Sequence, residues 1–322
     1  MQKDMPLVSV GLPIYNRPEG LRRTLECFVN QTYANIEIII ADNCSPDPEV
    51  EKIAREYVAK DVRISYFRHE ENKGWGYNTN FVIEKAKGDY FLRATDDDWW
   101  DVTFIDKIMN LMLNDSKVVL GYSNFIEVDH NFDKSKYHID NHLPLLQEFT
   151  GSSKVKNVCK YVNQFEGFGK SDIYFSIFKT SLLRSPFVFN TLKNQVLAGD
   201  LLIVLDCLSR GTFVVVPEVL MKVSFGNEKH YEMPESKSKK IDFLFATFDY
   251  QNFIDVRKKW IHYFKMQFSI VSKSDFKFFE KLKIKSVIRR RIVYFYYDLI
   301  CVNSRIRYFN IFNKLKRKYY LE

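Results

Sequence analysis

Three consecutive carboxylates, Asp96-Asp97-Asp98, stand between an apolar run and the pair Trp99-Trp100. In an extended segment, side chains two apart point the same way, so Asp96 and Asp98 can converge while Asp97 faces away. Two carboxylates at ~4 Å repel by roughly 4 kcal/mol at an effective dielectric of 20. A divalent cation, Mg²⁺ or Mn²⁺, offsets that repulsion, because both prefer oxygen ligands shared between one or two carboxylates and phosphate oxygens. An acidic turn capping a helix that begins near Asp101 is the other account, although a cap needs one acid, not three. Asp200, between Gly199 and the apolar LLIVLDCL, is either a helix N-cap or a partly desolvated general base. Asp42 ends the run IEIIIAD. Its carboxylate either accepts from a base N–H or a ribose hydroxyl, or folds into an Asx-type turn with Asn43 and Ser45.

Lys73-Gly74-Trp75-Gly76 supplies a tight turn before a helix whose N-terminus can face an anion, with Asn78 and Asn80 in its first turn. It is neither a dinucleotide nor a P-loop fingerprint: the third glycine of GxGxxG falls on Thr79, and no GK[ST] occurs. His230 lies in the polar stretch 225–240 and reads first as a solvated loop residue, with metal ligation the weaker option. The other histidines show no ligand spacing, and no Ser/His/Asp or Cys/His grouping assembles. Five widely separated cysteines in no metal spacing fit a reducing compartment.

The elements that must position these residues recur regularly. Apolar runs begin at Leu7, Ile36, Val62 and Asp89, 29, 26 and 27 residues apart. Helix-like stretches separate them: Pro18 to Gln31, Pro48 to Lys60 and Gly76 to Lys87. That alternation predicts β–α–β units and a parallel sheet covered by helices. Each run ends in polar chemistry, and in an open parallel sheet such segments meet at the carboxyl edge of the strands. The four segments are therefore expected in one cleft. A helix over Asp101 to Asn114 and a strand over Lys117 to Phe125 follow. Residues 126–156 read as a hairpin and loop, TFVVVPEVLMKVSF as a strand pair, 226–240 as a mobile loop, and 241–320 as helical.

Of 322 residues, 46% are hydrophobic and 27% charged, enough for a core and incompatible with wholesale disorder. The net charge of +8 is uneven: residues 273–322 carry 14 Lys/Arg against 4 Asp/Glu, leaving the rest slightly negative. A basic tail suits an anionic partner: a membrane surface, nucleic acid or a phosphate-bearing substrate. Ile288, Ile292, Phe295, Leu299, Ile306 and Phe309 recur mainly at helical steps among many arginines and lysines. That is either an interfacial helix pair over 276–320 or helices packed on the body with a basic outer face. No signal peptide and no apolar run of about 18 to 20 residues is visible.

The segments PLVSVGLPIYNRPEGLRRTLECFVNQTYANIEIIIADNCSPD, ENKGWGYNTN, ATDDDWW and AGDLLIVLDCLSRGTFVVVPEVL together resemble family 2 glycosyltransferases of the GT-A fold over residues 6–225. The resemblance implies transfer of a sugar from a nucleotide donor to an acceptor hydroxyl, with Mg²⁺ or Mn²⁺ and inversion at the anomeric carbon. It places Pro13, Tyr15 and Arg17 in the nucleotide pocket and Asp42 on the base. Lys73, Gly74 and Asn78 fall near the ribose and diphosphate, beside Asp96 and Asp97. Asp98 and Asp96 match the DxD pair, with Asp98 the direct metal ligand, and Asp200 matches the catalytic base. Trp99 and Trp100 become walls for a sugar ring. The sequence departs twice: Gly199 stands where the family often has Glu, and Thr95-Asp96-Asp97-Asp98 lets the acidic register slip by one.

The expected architecture is α/β, a GT-A-like mostly parallel open sheet flanked by helices. Residues 1–225 form the transferase domain, with a nucleotide half at 1–125 and an acceptor half at 126–225, and 241–322 add a helical, basic, aromatic extension. The donor is expected to be a UDP-, GDP- or dTDP-sugar, and the acceptor a glycan or lipid-linked glycan of a bacterial surface polysaccharide. The location is expected to be cytoplasmic, on the inner face of the plasma membrane. A nucleotidyltransferase on a similar sheet, or a non-catalytic membrane- or nucleic-acid-binding protein, are the competing classes; nucleic acid is the less favoured partner. Arg17-Pro18-Glu19-Gly20 supplies little of the basic glycine-rich loop that a nucleotidyltransferase needs.

Overall fold

Branched apolar residues at consecutive positions, as in Ile38-Ile39-Ile40, build strands that are buried on both faces. In the computed structural model, which describes residues 5–128, 142–164, 166, 170–224 and 253–295, they form the centre of a mixed sheet. β1 (Val8–Ile14), β2 (Ile36–Asp42), β3 (Ile64–Arg68) and β4 (Tyr90–Arg93) run parallel in the order β3-β2-β1-β4. Three helices connect them: α1 (Pro18–Val29), α2 (Pro48–Lys60) and α3 (Trp75–Lys85). Proline at the first turn starts α1 and α2, where its missing N–H costs nothing. Asp47 Oδ1 accepts from Glu49 N at 2.9 Å to cap α2.

The rest of the sheet is mixed. β5 is Trp99–Trp100, α4 Phe104–Met112, β6 Val118–Val128, α5 Leu143–Gln147 and α6 Lys154–Asn163. A 3₁₀ turn at Ser171–Phe175 leads into β7 (Ile177–Lys179), α7 (Thr180–Leu183), α8 (Pro186–Lys193), α9 (Gly199–Arg210) and β8 (Thr212–Ser224). The full order is β3-β2-β1-β4-β7-β6-β8-β5. β7 is antiparallel to both β4 and β6, which joins the parallel half to the parallel pair β6–β8. The long helix α10 (Phe253–Lys273) and a helix over 278–295 follow.

Some expectations change. Where a strand pair was expected, Thr212–Ser224 form one strand: β8 stays beside β6, and the register slips from Ser123↔Val216 to Asn124↔Val219. Pro217 has no N–H to donate, and the bulge takes it out of the ladder. The hairpin expected from 126 gives way to an extension of β6 through Val128, then α5; residues 129–141 lie outside the description. Asp200 is not an N-cap, because α9 begins one residue earlier and Ala198 occupies that place. The expected loop at 226–240, including His230, and the tail beyond 295 also lie outside the described residues. Within 278–295 the helix packs on the body: Ile284, Ile288 and Phe295 are buried, with Phe295 against Trp260 at 4.8 Å. Among the described residues, no helix is long and apolar enough to cross a membrane.

Candidate functional site

The segments that leave β1, β2, β3 and β4 line one cleft of about 570 Å³. Pro13, Ile14, Tyr15, Asn16 and Arg17 come from the first, and Asn43 from the second. Asn72, Gly74, Trp75, Asn78 and Thr79 come from the third, Arg93 and Asp96 from the fourth.

Hydrogen bonds between the loops hold this shape. Asp42 Oδ1 accepts from Ser45 N at 2.8 Å and from the Ser45 hydroxyl, the Asx-type turn that the sequence allows. Ser45 Oγ in turn accepts from Asn16 N at 2.9 Å, tying the second loop to the first. Asn43 donates to Asn72 Oδ1 at 2.7 Å and accepts from Lys73 N at 2.9 Å, tying the second loop to the third. Asn78 Nδ2 donates to the Ala41 carbonyl at 2.8 Å, and its Oδ1 meets His69 Nε2 at 2.9 Å. Gly74 sits at φ +82 at the start of α3, a conformation that side chains rarely adopt.

Asp42 itself is turned inward. Its Oδ2 accepts from the Tyr66 hydroxyl at 2.9 Å and from Arg68 Nη1 at 2.7 Å, and the residue is buried. In this arrangement both oxygens serve the loops, and Asn43 presents the wall where a base contact was expected from Asp42. Lys73 also stands off the wall, its ammonium 5.0 Å from the Tyr77 ring centroid. Pro13, Tyr15, Arg17, Gly74 and Asn78 line the cleft.

The acids do not alternate as an extended segment would place them. Asp96 and Asp97 lie in a bend, and both reach Arg17, whose Nη1 is 3.0 Å from Asp96 Oδ1 and 2.7 Å from Asp97 Oδ2. Asp98 turns inward, accepting from Ser224 N at 2.9 Å and from the Thr95 hydroxyl. Burial pushes the Asp96 carboxyl up to about 6, against the pull of Arg17. Burial and then the Asp97 charge push Asp98 up to about 7. Gly20 on α1 abuts this loop: a Cβ there would stand 1.8 Å from the Asp96 carbonyl oxygen.

Trp100 corrects an expectation. It is 0% exposed, with its ring 5.1 Å from Phe28, so it is a core residue and not a wall for a sugar. In β5 neighbouring side chains face opposite ways. Trp99, on the other face, is half-buried and carries the Lys222 ammonium 5.0 Å from its ring centroid.

Asp200 sits in the first turn of α9, half-buried. Burial raises its pKa, while the Leu201 and Asp200 N–H groups and the charges of Arg93 and Lys170 lower it. Arg93 lines the cleft, and its charge lowers the pKa of both Asp98 and Asp200. Sequence reasoning missed Arg93, although it is the one cation inside the run DYFLRAT. It also missed Asp172, a buried acid beside Glu127, Asp98 and Asp200, with a pKa pushed up to about 8. Among the described residues, no three His, Cys, Asp or Glu side chains form a ready metal cage.

The sequence model of Glycosyl transferase family 2 matches residues 9–179. A Rickettsia bellii protein described as an uncharacterized glycosyltransferase is 31% identical over 55% of this chain and 28% of its own. The Escherichia coli UDP-Glc:alpha-D-GlcNAc-diphosphoundecaprenol beta-1,3-glucosyltransferase WfaP is 36% identical over 39% of this chain and 49% of its own. The chain spans half or less of the length of these relatives. Among solved structures, S. aureus TarS 1–349 in complex with UDP-GlcNAc superposes with TM-score 0.60 at 14% identity, covering 88% of this chain and 72% of that one. The same protein in complex with UDP gives TM-score 0.57 over 88% of this chain and 71% of that one. These two superpositions establish a shared fold.

Proposed function

The chain belongs to glycosyl transferase family 2, and from that premise we propose that it moves a sugar from a nucleotide-sugar donor to an acceptor hydroxyl, with inversion and with a divalent cation. The observation that carries this reading is the single cleft: four loops, far apart in sequence, put Tyr15, Arg17, Asn43, Asn78, Arg93 and Asp96 around one volume. A pocket of this kind offers amide groups for a base and ribose, two arginines for a diphosphate and one carboxylate, Asp96, for a cation. TarS, which shares the fold, is described in complex with UDP and with UDP-GlcNAc, which supports a nucleotide-sugar as the ligand here.

The residues suit Mg²⁺ or Mn²⁺. Asp96 lines the cleft as an oxygen donor, Arg17 is the cation that offsets it, and Asp98, whose oxygens accept from Ser224 N and the Thr95 hydroxyl, would have to turn outward to join it. A hard cation takes one or two carboxylates and completes its shell with water and phosphate oxygens, so the lack of a third protein ligand is compatible with it. When bound, the ion would neutralise charge on the departing diphosphate.

The protein's own residues divide the remaining work. Arg17 and Arg93 stand where they can hold a diphosphate. Asn43, Asn72 and Asn78 fix the loops about the nucleoside. Asp200 removes the proton of the acceptor hydroxyl; its raised pKa makes it a better base than a solvated carboxylate. Trp99 remains the candidate wall for the acceptor.

The likeness to WfaP, whose name specifies a diphosphoundecaprenol acceptor, supports a lipid-linked glycan acceptor and a role in bacterial surface polysaccharide synthesis. Such an acceptor lies at a membrane. We assign the basic, aromatic region 276–320 to the anionic cytoplasmic face of that membrane. The test is a thermal-shift screen against UDP-, GDP- and dTDP-sugars with and without Mn²⁺, followed by transfer assays of Asp200→Asn. One donor should stabilise the protein in a Mn²⁺-dependent way, and Asp200→Asn should keep that stabilisation while losing most transfer. Transfer near the wild-type rate in Asp200→Asn would remove the base assignment.

A further inference from the structure

The turn between α10 and the helix over 278–295 sorts three phenylalanines in a way that a protein in plain water has no reason to do. Phe276 is buried, with the Lys154 ammonium 5.4 Å from its ring centroid, and Lys154 is held by Asp275 at 3.0 Å. Phe278 and Phe279, the next two aromatic positions, are 69% and 79% exposed. Their rings meet edge to face, with centroids 5.5 Å apart. Leu282, one turn later, is also exposed.

This exposure is built in. Lys277 N donates to Glu280 Oε2 at 2.8 Å, and Lys281 N donates to the Lys277 carbonyl at 3.0 Å, so the helix starts in an ordered, capped turn. The opposite face holds the helix in place: Ile284, Ile288 and Phe295 are buried, and Arg291 Nη2 pairs with Glu166 Oε2 at 2.5 Å. A helix anchored in this way cannot roll to hide Phe278 and Phe279 against its own body.

The stretch has an excess of one sign: Lys273, Lys277, Lys281, Lys283 and Lys285 share residues 273–285 with Phe278, Phe279 and Leu282, and Lys273, Lys277 and Lys283 are exposed. The two acids of the same stretch are both engaged, Asp275 with Lys154 and Glu280 with the Lys277 N–H. Farther along the exposed stripe come Arg289 and Arg290, then Val293 and Tyr294. Two exposed aromatic rings and a leucine on a lysine-rich turn match an anionic bilayer: rings enter the headgroup–acyl boundary and ammonium groups stay with the phosphates. A protein partner of this patch would need to be both apolar and acidic, and a duplex nucleic acid, whose bases are stacked inside, would leave the rings with no apolar environment.

We infer that Phe278, Phe279 and Leu282, together with the lysines of this stretch, are the contact by which this chain sits on an anionic lipid surface. The inference rests on assigning the C-terminal region to a membrane, and narrows that assignment to one capped turn. It makes the attachment a surface insertion of three side chains on a rigid mount.

The experiment is co-sedimentation of the full chain with phosphatidylcholine vesicles, with and without phosphatidylglycerol, for wild type and for Phe278→Ser/Phe279→Ser. Both positions are exposed, so the thermal midpoint of the double variant should match wild type. Wild type should bind the phosphatidylglycerol vesicles, release in high salt, and lose about tenfold in partitioning in the double variant. Loss of binding in Lys277→Glu/Lys283→Glu with the phenylalanines intact would support the part given to the lysines. Binding by wild type that the phenylalanine variant retains in full would overturn the patch but keep the membrane assignment. No binding by wild type to either vesicle would overturn both. A wild-type dimer in solution that the double variant converts to monomer would reassign the patch to a second copy of the chain, and retention on duplex DNA in place of vesicles would reassign the lysines to nucleic acid.

Discussion

Arg17, just before α1, and Asp96, just after β4, meet nitrogen to oxygen at 3.0 Å across 79 residues of sequence. The same guanidinium reaches Asp97 at 2.7 Å. It is thus a fixed positive charge among carboxylates that would otherwise repel one another. Gly20, one turn into α1, lets the acidic loop come close enough for this contact.

Replacing Arg17 with Ala should separate two of its effects. A hydrogen bond to a charged group is worth about 1.5–3 kcal/mol, so nucleoside diphosphate affinity should fall about tenfold or more. Binding of Mn²⁺ alone should not weaken, because the competing cation has gone. Calorimetric titrations of UDP, GDP and dTDP with Mn²⁺, and of Mn²⁺ by itself, measure both. Unchanged affinity for every nucleotide would limit Arg17 to holding the acidic loop.

The parallel half of the fold was legible because its strands carry a local signal. The run Ile36–Asp42 is apolar at every position but Glu37 and Asp42, and the loop after each strand is polar. The convergence of the loops then follows from topology. What the sequence could not show was which way a short polar side chain turns. Asp42 looks like a cleft residue by position, yet Tyr66 and Arg68, two dozen residues away, draw its carboxylate inward. Asp98 is drawn in likewise by Ser224 on β8. Period-two alternation assumed an extended backbone at Asp96-Asp97, where the chain bends. Asp172 escaped notice because its neighbours Glu127, Asp98 and Asp200 come from three distant segments.

The adjacent tryptophans give a sharp contrast between packing and surface chemistry. Trp100 is fully buried against Phe28, and truncation of a buried Trp to Ala costs about 3–5 kcal/mol. Trp100→Ala should therefore lower the thermal midpoint strongly, with any loss of transfer tracking the loss of folded protein. Trp99→Ala removes a half-buried ring that bears the Lys222 ammonium. Its midpoint should move little, while the KM for acceptor rises and donor affinity stays put. Thermal scans and steady-state kinetics on both variants check this, and an unchanged acceptor KM in Trp99→Ala would remove the ring from the acceptor site.

The buried acid Asp172 makes stability depend on pH in a direction opposite to that of a salt-bridged carboxylate. Burial pushes its pKa up to about 8, with the charges of Glu127, Asp98 and Asp200 adding to the effect. An unfolded Asp ionises near about 3.9, so the folded state holds the proton more tightly. The contribution of this group is full below the unfolded value and is lost as pH rises through the folded one. Asp98, at about 7, and Asp96, at about 6, act with the same sign. The ligand-free protein should therefore melt at a lower temperature as pH rises across the window between the unfolded value and the folded ones. Asp172→Asn keeps the shape and removes the charge. It should raise the midpoint on the alkaline side of that window by about 2–4 °C, the shift that ~1 kcal/mol produces in a mid-sized domain, and leave the acidic side nearly unchanged. Calorimetric scans of both proteins across the window decide the matter. An equal drop in the variant's midpoint at every pH would mean that Asp172 is held there by a hydrogen bond that Asn cannot supply, and that its charge does not govern stability.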